Sequence, residues 1–162
     1  MKRYFLDTEF DPTPGKAPIL ISLGIVDEDG KEFYAENLDY NPANAHEWIQ
    51  KNVLPHLTGP AFSEKKIIEM ALEFCDKPGA EFYCWVGAYD WFILWDLFAK
   101  YQIFPKFMRR DFREIRQLQD THYPMLDVHS CSSGAAMHNA LNDAKWNKAV
   151  FEAIQDHTFI TI

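Results

Sequence analysis

Leu6-Asp7-Thr8-Glu9-Phe10 sets two carboxylates two residues apart in a run rich in β-formers. Residues two apart in a strand point to one side, so Asp7 and Glu9 project together while Thr8 faces away. Acidic pairs near a strand edge are usually solvated and inert. Here Tyr4, Phe5 and Leu6 before the pair, and Phe10 after it, favour an interior strand as host. Two carboxylates held there need a compensating cation. A third candidate, Asp90, sits in Trp85-Val86-Gly87-Ala88-Tyr89-Asp90-Trp91-Phe92, past an aromatic strand and at the start of an apolar helix. A first-turn acid favoured by the helix dipole is the plain structural reading of that position, and it is compatible with a metal ligand.

His138 and Asp143 stand in His138-Asn139-Ala140-Leu141-Asn142-Asp143-Ala144. Five positions along one regular helix differ by about 140° around the axis, so the two cannot face one site from the same helix. His138 therefore belongs at or before the helix start, with Asp143 facing inward from the first turns. Ala140 and Ala144 leave room there for close backbone approach. A lone histidine at a helix entry is more often structural or exposed than catalytic, so its role depends on what lies near it.

These residues need elements to carry them. Arg3 to Phe10, Ile19 to Val26 and Lys31 to Asn37 read as strands, the last two joined by the Asp27-Glu28-Asp29-Gly30 turn as an antiparallel hairpin. Asn41-Pro42 reads as a cap and first helical position for a helix through His46, Trp48 and Ile49. A loop from Leu54 to Pro60 follows, and Ser63 caps a helix with Ile67, Ile68, Ala71, Leu72 and Cys75 on one face, stopped by Lys77-Pro78-Gly79. Ala80 to Val86 is a strand leading into a helix from about Asp90 to Lys100, and a last helix fits from about Asn139 to Gln155. The pattern predicts an α/β fold with a mixed sheet and flanking helices.

The 162 residues fit one domain, 1–162, and 48% hydrophobic content supplies a core. Apolar runs fall short of a membrane span and the amino terminus lacks a signal-peptide core, so a cytoplasmic location is the default expectation. Cys75, Cys84 and Cys131 are an odd number without CxxC spacing, which speaks against a disulfide framework or structural zinc. A net charge of −8 argues against a simple nucleic-acid coating protein but not against a nuclease, whose bound metals would supply the positive charge.

Taken in the order D-x-E, Asp, H-x-A-x-x-D, these residues resemble the three exonuclease motifs of the DEDDh family within the ribonuclease H-like fold. Arg3 to Phe10, Trp85 to Asp90 and His138 to Ala144 are most similar to the polyadenylate-specific 3′-exoribonucleases called RNase AS. Lesser similarity covers Ser22 to Val26 and Val53 to Pro55, while Tyr101 to Met137 matches only vaguely. The resemblance implies Asp7, Glu9, Asp90 and Asp143 as metal carboxylates and His138 as general base. It also implies 3′-end cleavage of single-stranded RNA, with polyadenylate preferred, to nucleoside 5′-monophosphates, and a homodimer. Two Mg²⁺ ions, for which Mn²⁺ can substitute, would cancel the repulsion of four converging carboxylates and stabilise attacking and leaving oxygens. An imidazole can take the proton of the attacking water.

Thr8, Phe10 and Trp91 are the candidate substrate contacts; Phe10 and Trp91 could stack on bases, although aromatic residues beside inward-facing acids are more often core. Lys106, Arg109, Arg110, Arg113 and Arg116 could track an RNA backbone, or, with Asp111, Glu114 and Asp120 interleaved, form an ion-paired surface helix. Two alternatives stay open: the same chemistry on DNA or short oligonucleotides, and a catalytically silent nuclease fold used as a binding module. The presence of all five motif residues argues against the second.

Overall fold

The computed structural model describes residues 1–12, 17–105, 110–135 and 137–160, with the side chains of residues 44 and 158–160 left aside. Three antiparallel strands open the chain: β1 (Arg3–Asp11), β2 (Ile19–Asp27) and β3 (Glu32–Asn37). A 3₁₀ turn (Pro42–Asn44), α1 (Glu47–Asn52), a second 3₁₀ turn (Leu54–His56), the short β4 (Ala61–Phe62) and α2 (Glu64–Phe74) follow. Then come β5 (Glu81–Cys84), α3 (Ala88–Lys100), β6 (Arg113–Glu114), α4 (Ile115–His122), a 3₁₀ turn (Val128–Cys131) and α5 (Ala140–Ile160). The six strands lie in the order β4-β3-β2-β1-β5-β6, with β5 parallel to β1 and β6 parallel to β5. This is the mixed sheet with flanking helices that the periodicities predict, in a ribonuclease H-like arrangement.

β1 is central and buried on both faces by alternation. Tyr4 and Leu6 join the cluster under α2 and α3, whereas Phe5 packs with Tyr83, Phe151 and Ile154 under α4 and α5. Odd-numbered β1 residues thus face α5, and even-numbered ones face α3.

Three local expectations change. Asn41-Pro42 opens only a 3₁₀ turn, because Ala45 and His46 are extended; α1 starts at Glu47, with His46 Nδ1 accepting from the Trp48 amide. The strand expected to reach Val86 ends at Cys84, since Val86 has a left-handed φ of 53°. The segment from Tyr101 to Met137, whose similarity to RNase AS is only vague and to which no element is assigned from sequence, contributes an edge strand and α4. Of the basic cluster, Lys106 and Arg109 lie outside the described residues. Among the described helices none is long and apolar enough to cross a membrane.

Candidate active site

The carboxyl-terminal half of β1 carries the first two acids on the α5 face. Glu9 is 8% exposed and sits opposite Ser22 of β2. One residue later the pairing shifts, Phe10 lying opposite Leu20, so Ile21 is an extra residue on β2. Such a bulge bends a strand and re-aims the side chains beside it.

α5 brings the last acid to the same place because its first turn sits directly on β2. A Cβ at Gly24 would lie 2.3 Å from the backbone carbon and oxygen of Ala140, so only glycine permits this approach. The buried Asn147 side chain donates to the Leu6 carbonyl at 3.0 Å and fixes the helix against β1. Asn139 caps α5, its Oδ1 accepting from the Asn142 amide, while its Nδ2 donates to the His56 carbonyl and the Tyr34 hydroxyl. Glu9, His138 and Asp143 then present donor atoms all within 4.8 Å of one another. His138 holds this place with φ 63°, and Trp48 of α1 meets its ring edge-on at a centroid distance of 4.8 Å. Trp48 was not recognised in the sequence, because nothing local ties α1 to a residue 90 positions on.

Asp90 arrives from the other face. It lies in the first turn of α3 and is 5% exposed, and its Oδ1 accepts from both the Thr8 amide (2.9 Å) and the Thr8 hydroxyl. Thr8 faces away from the Asp7 side, as alternation requires, but what it meets there is the third acid. Thr8 is therefore an anchor for Asp90 and is itself 5% exposed, so it does not present the free surface expected of a substrate contact.

The electrostatics agree with a cation site. Burial first, then neighbouring Asp143 and Asp90, push the Glu9 carboxyl up to about 8. Burial raises Asp90 to about 6 against the opposing hydrogen bonds from Thr8. Asp7 is held well above the usual carboxylate range by burial and then by Asp90, Asp143 and Glu9. Asp143 is raised by burial despite the amide of His138. Without cations the group retains protons near neutrality; a hard divalent ion bound by carboxylate oxygens would displace them. The donor set fits such an ion, with oxygens dominant and one imidazole at the edge.

Sequence and fold relate the chain to known nucleases. Residues 2–155 match the model of the 3′–5′ exoribonuclease Rv2179c-like domain. The chain belongs to this family. It is 36% identical over 151 residues to the 3′–5′ exoribonuclease Rv2179c of Mycobacterium tuberculosis (strain ATCC 25618 / H37Rv), a match covering 88% of this chain and 87% of that protein. In fold it is similar to exonuclease I of Methylocaldum szegediense (TM-score 0.71, 13% identity) and to E. coli exonuclease I in complex with a dT13 oligonucleotide (TM-score 0.71, 12% identity). Each structural match covers 99% of this chain but 42% of the other, so the chain spans less than half the length of those exonucleases. The family and the fold together make the protein a 3′–5′ exonuclease.

For a member of this family the surroundings of the acids are informative. Trp91 does not offer a stacking face: it is 7% exposed, its Nε1 donates to the Arg110 carbonyl, and Phe82, Trp95 and Phe112 surround its ring. The helix period turns it to the core one position after Asp90. Phe10 is half-buried and stacks on Tyr89 at 5.5 Å, and Tyr89 is 59% exposed. Tyr89 is the exposed aromatic beside Asp90, and only the start of α3 at Ala88 reveals that it points outward. On the α5 side a cleft of about 810 Å³ opens from Asp7 and Asp143 toward Trp85, Trp146 and Arg116. Arg113, by contrast, pairs with Glu81 at 3.3 Å.

Proposed function

We propose that this exonuclease is a metal-dependent exoribonuclease that shortens single-stranded RNA from the 3′ end, prefers adenylate runs and releases nucleoside 5′-monophosphates. Asp7, Glu9, Asp90 and Asp143 would hold two Mg²⁺ ions, replaceable by Mn²⁺. When bound, such ions supply charge to the phosphoryl transition state and acidify the attacking water. The Nδ1 or Nε2 atom of His138 takes the proton that this water loses. The water oxygen bonds to the last phosphorus as the bond from phosphorus to the neighbouring 3′ oxygen breaks, and that oxygen leaves as a hydroxyl after taking a proton from solvent. Trp48 limits the swing of the imidazole, and Phe10 with Tyr89 forms a platform for a terminal base.

The observation that carries this reading is the meeting of Glu9, His138 and Asp143 within 4.8 Å, with Asp7 and Asp90 close enough to raise the carboxyl pKa values. RNA as substrate is supported by the family and by the relative named 3′–5′ exoribonuclease. Adenylate preference, a homodimer and a cytoplasmic setting rest on the resemblance to RNase AS and on composition, as does the reading of residues 1–162 as one exonuclease domain. Matched RNA and DNA strands, digested with Mg²⁺ and with a chelator, test the reading. RNA shortening that the chelator abolishes is expected; equal or faster loss of DNA would replace RNA as the substrate, and digestion in the chelator would remove the metal.

A further inference from the structure

α3 delivers Asp90, yet the turn that launches it is unfavourable on its own. Val86 is β-branched and has a φ of 53°, in the left-handed region that such residues rarely adopt. The residue is 53% exposed, so core packing does not hold the conformation. Gly87 follows at a point so tight that a Cβ there would lie 2.1 Å from the Cys84 Cβ. The helix begins at Ala88 with no side-chain cap of its own.

What holds this turn comes from another part of the chain. Glu114 closes β6, where pairing with Cys84 fixes it beside the end of β5. Its Oε1 accepts from the Val86 amide at 2.7 Å and its Oε2 accepts from the Gly87 amide at 3.1 Å. The Arg116 amide donates to Oε1 at 3.1 Å, so the same carboxylate also caps α4. One side chain thus ties together the start of α3, the start of α4 and the end of β5. Only a carboxylate can accept from both turn amides through two oxygens; an amide side chain has a single acceptor.

We propose that Glu114 is a positioning residue for the metal centre: it holds Val86 and Gly87 in the strained turn and thereby fixes where Asp90 stands against Thr8 and Asp7. The proposal rests on the reading of Asp90 as a metal carboxylate. Outer partners of metal ligands commonly matter by ~10–100-fold in metal affinity.

The test is Mn²⁺ binding to the full chain by calorimetry, without RNA, in wild type, Asp90→Asn, Glu114→Gln and the double variant Val86→Gly/Glu114→Gln. Glycine adopts positive φ without penalty, so it removes the strain that Glu114 counteracts. Asp90→Asn and Glu114→Gln should each weaken binding, Glu114→Gln by ~10–100-fold, and Val86→Gly should recover much of the Glu114→Gln loss. Wild-type affinity in Asp90→Asn would remove the metal role of Asp90 and the proposal with it. If Asp90→Asn is weakened, wild-type affinity in Glu114→Gln, or a loss that Val86→Gly leaves unrestored, overturns the positioning role alone. Should Glu114→Gln not fold, hydrogen exchange in the wild type decides: slow exchange at the Val86 and Gly87 amides is required, and exchange at the rate of an open loop refutes the restraint.

Discussion

His138 donates its backbone amide to the Asp143 carboxylate at 3.0 Å, although the two are five residues apart. On one regular helix they would diverge by about 140°. The chain resolves this by keeping His138 outside α5 with a left-handed φ, so the amide turns back over the first turn and the imidazole stays beside Glu9 and Asp143. The contact fixes one carboxylate oxygen.

His138→Ala should therefore lower kcat by ~10²–10⁴-fold, the scale of a lost general base, with RNA binding little changed. The imidazole is also near enough to be a ligand, so Mn²⁺ affinity should be measured on the same variant. Preserved affinity fits the base, whereas a parallel collapse of metal binding would make His138 a ligand.

Asp7→Asn or Asp143→Asn should cost ~10²–10⁴-fold in turnover, the equivalent of several kcal/mol of lost transition-state charge stabilisation. The fold should survive, because each change relieves carboxylate repulsion and leaves a side chain of nearly the same size. Steady-state rates beside thermal melts of the metal-free variants check both halves; turnover near wild type would contradict the metal role.

The metal-free protein should lose stability as pH rises. Glu9 is raised from 4.5 to about 8 in the folded state and Asp90 from 3.8 to about 6. The folded chain then binds more protons than the unfolded one between about pH 4 and 8, so the contribution is full below the unfolded values and disappears as pH passes the folded ones. Melting temperatures in a chelator should fall across this window, and Mg²⁺ should raise them most at its upper end by binding the folded state and displacing protons. A flat profile in the chelator would show that the acids are not held together.

Much of this site was legible in the sequence because its geometry follows from local periodicity. The alternation of β1 places Asp7 and Glu9 together, and the angular offset on α5 places His138 before the helix. What was not legible depends on contacts between distant segments. Thr8 reaches Asp90 across 82 positions, Trp48 reaches His138 across 90, and Glu114 holds a turn 27 and 28 residues earlier. The two-residue strands β4 and β6 are too short to leave a period of two. Trp91 was misplaced because the strand-to-helix switch at Val86 determines which aromatic turns outward, and Val86 by residue type favours continued strand.

That switch separates two aromatic neighbours by experiment. Tyr89→Ala should raise KM for RNA by roughly 5–150-fold, the range for one lost base stack of about 1–3 kcal/mol, with little change in stability. Trp91→Ala should instead destabilise the fold by about 3–5 kcal/mol, as expected for emptying a buried tryptophan site. Urea unfolding and KM measured on both variants check the contrast, and the reverse pattern would place Trp91 at the substrate.

The most direct measurement is the time course of 5′-labelled oligo(A), oligo(U), oligo(C) and oligo(dA) with the purified protein in Mg²⁺. A ladder shortening one nucleotide at a time from the 3′ end, fastest on oligo(A) and absent from Asp7→Asn, is the predicted result. Equal rates on all three RNAs would reject adenylate preference while keeping the exonuclease. Fragments produced by internal cleavage from the earliest times would contradict 3′-end hydrolysis itself.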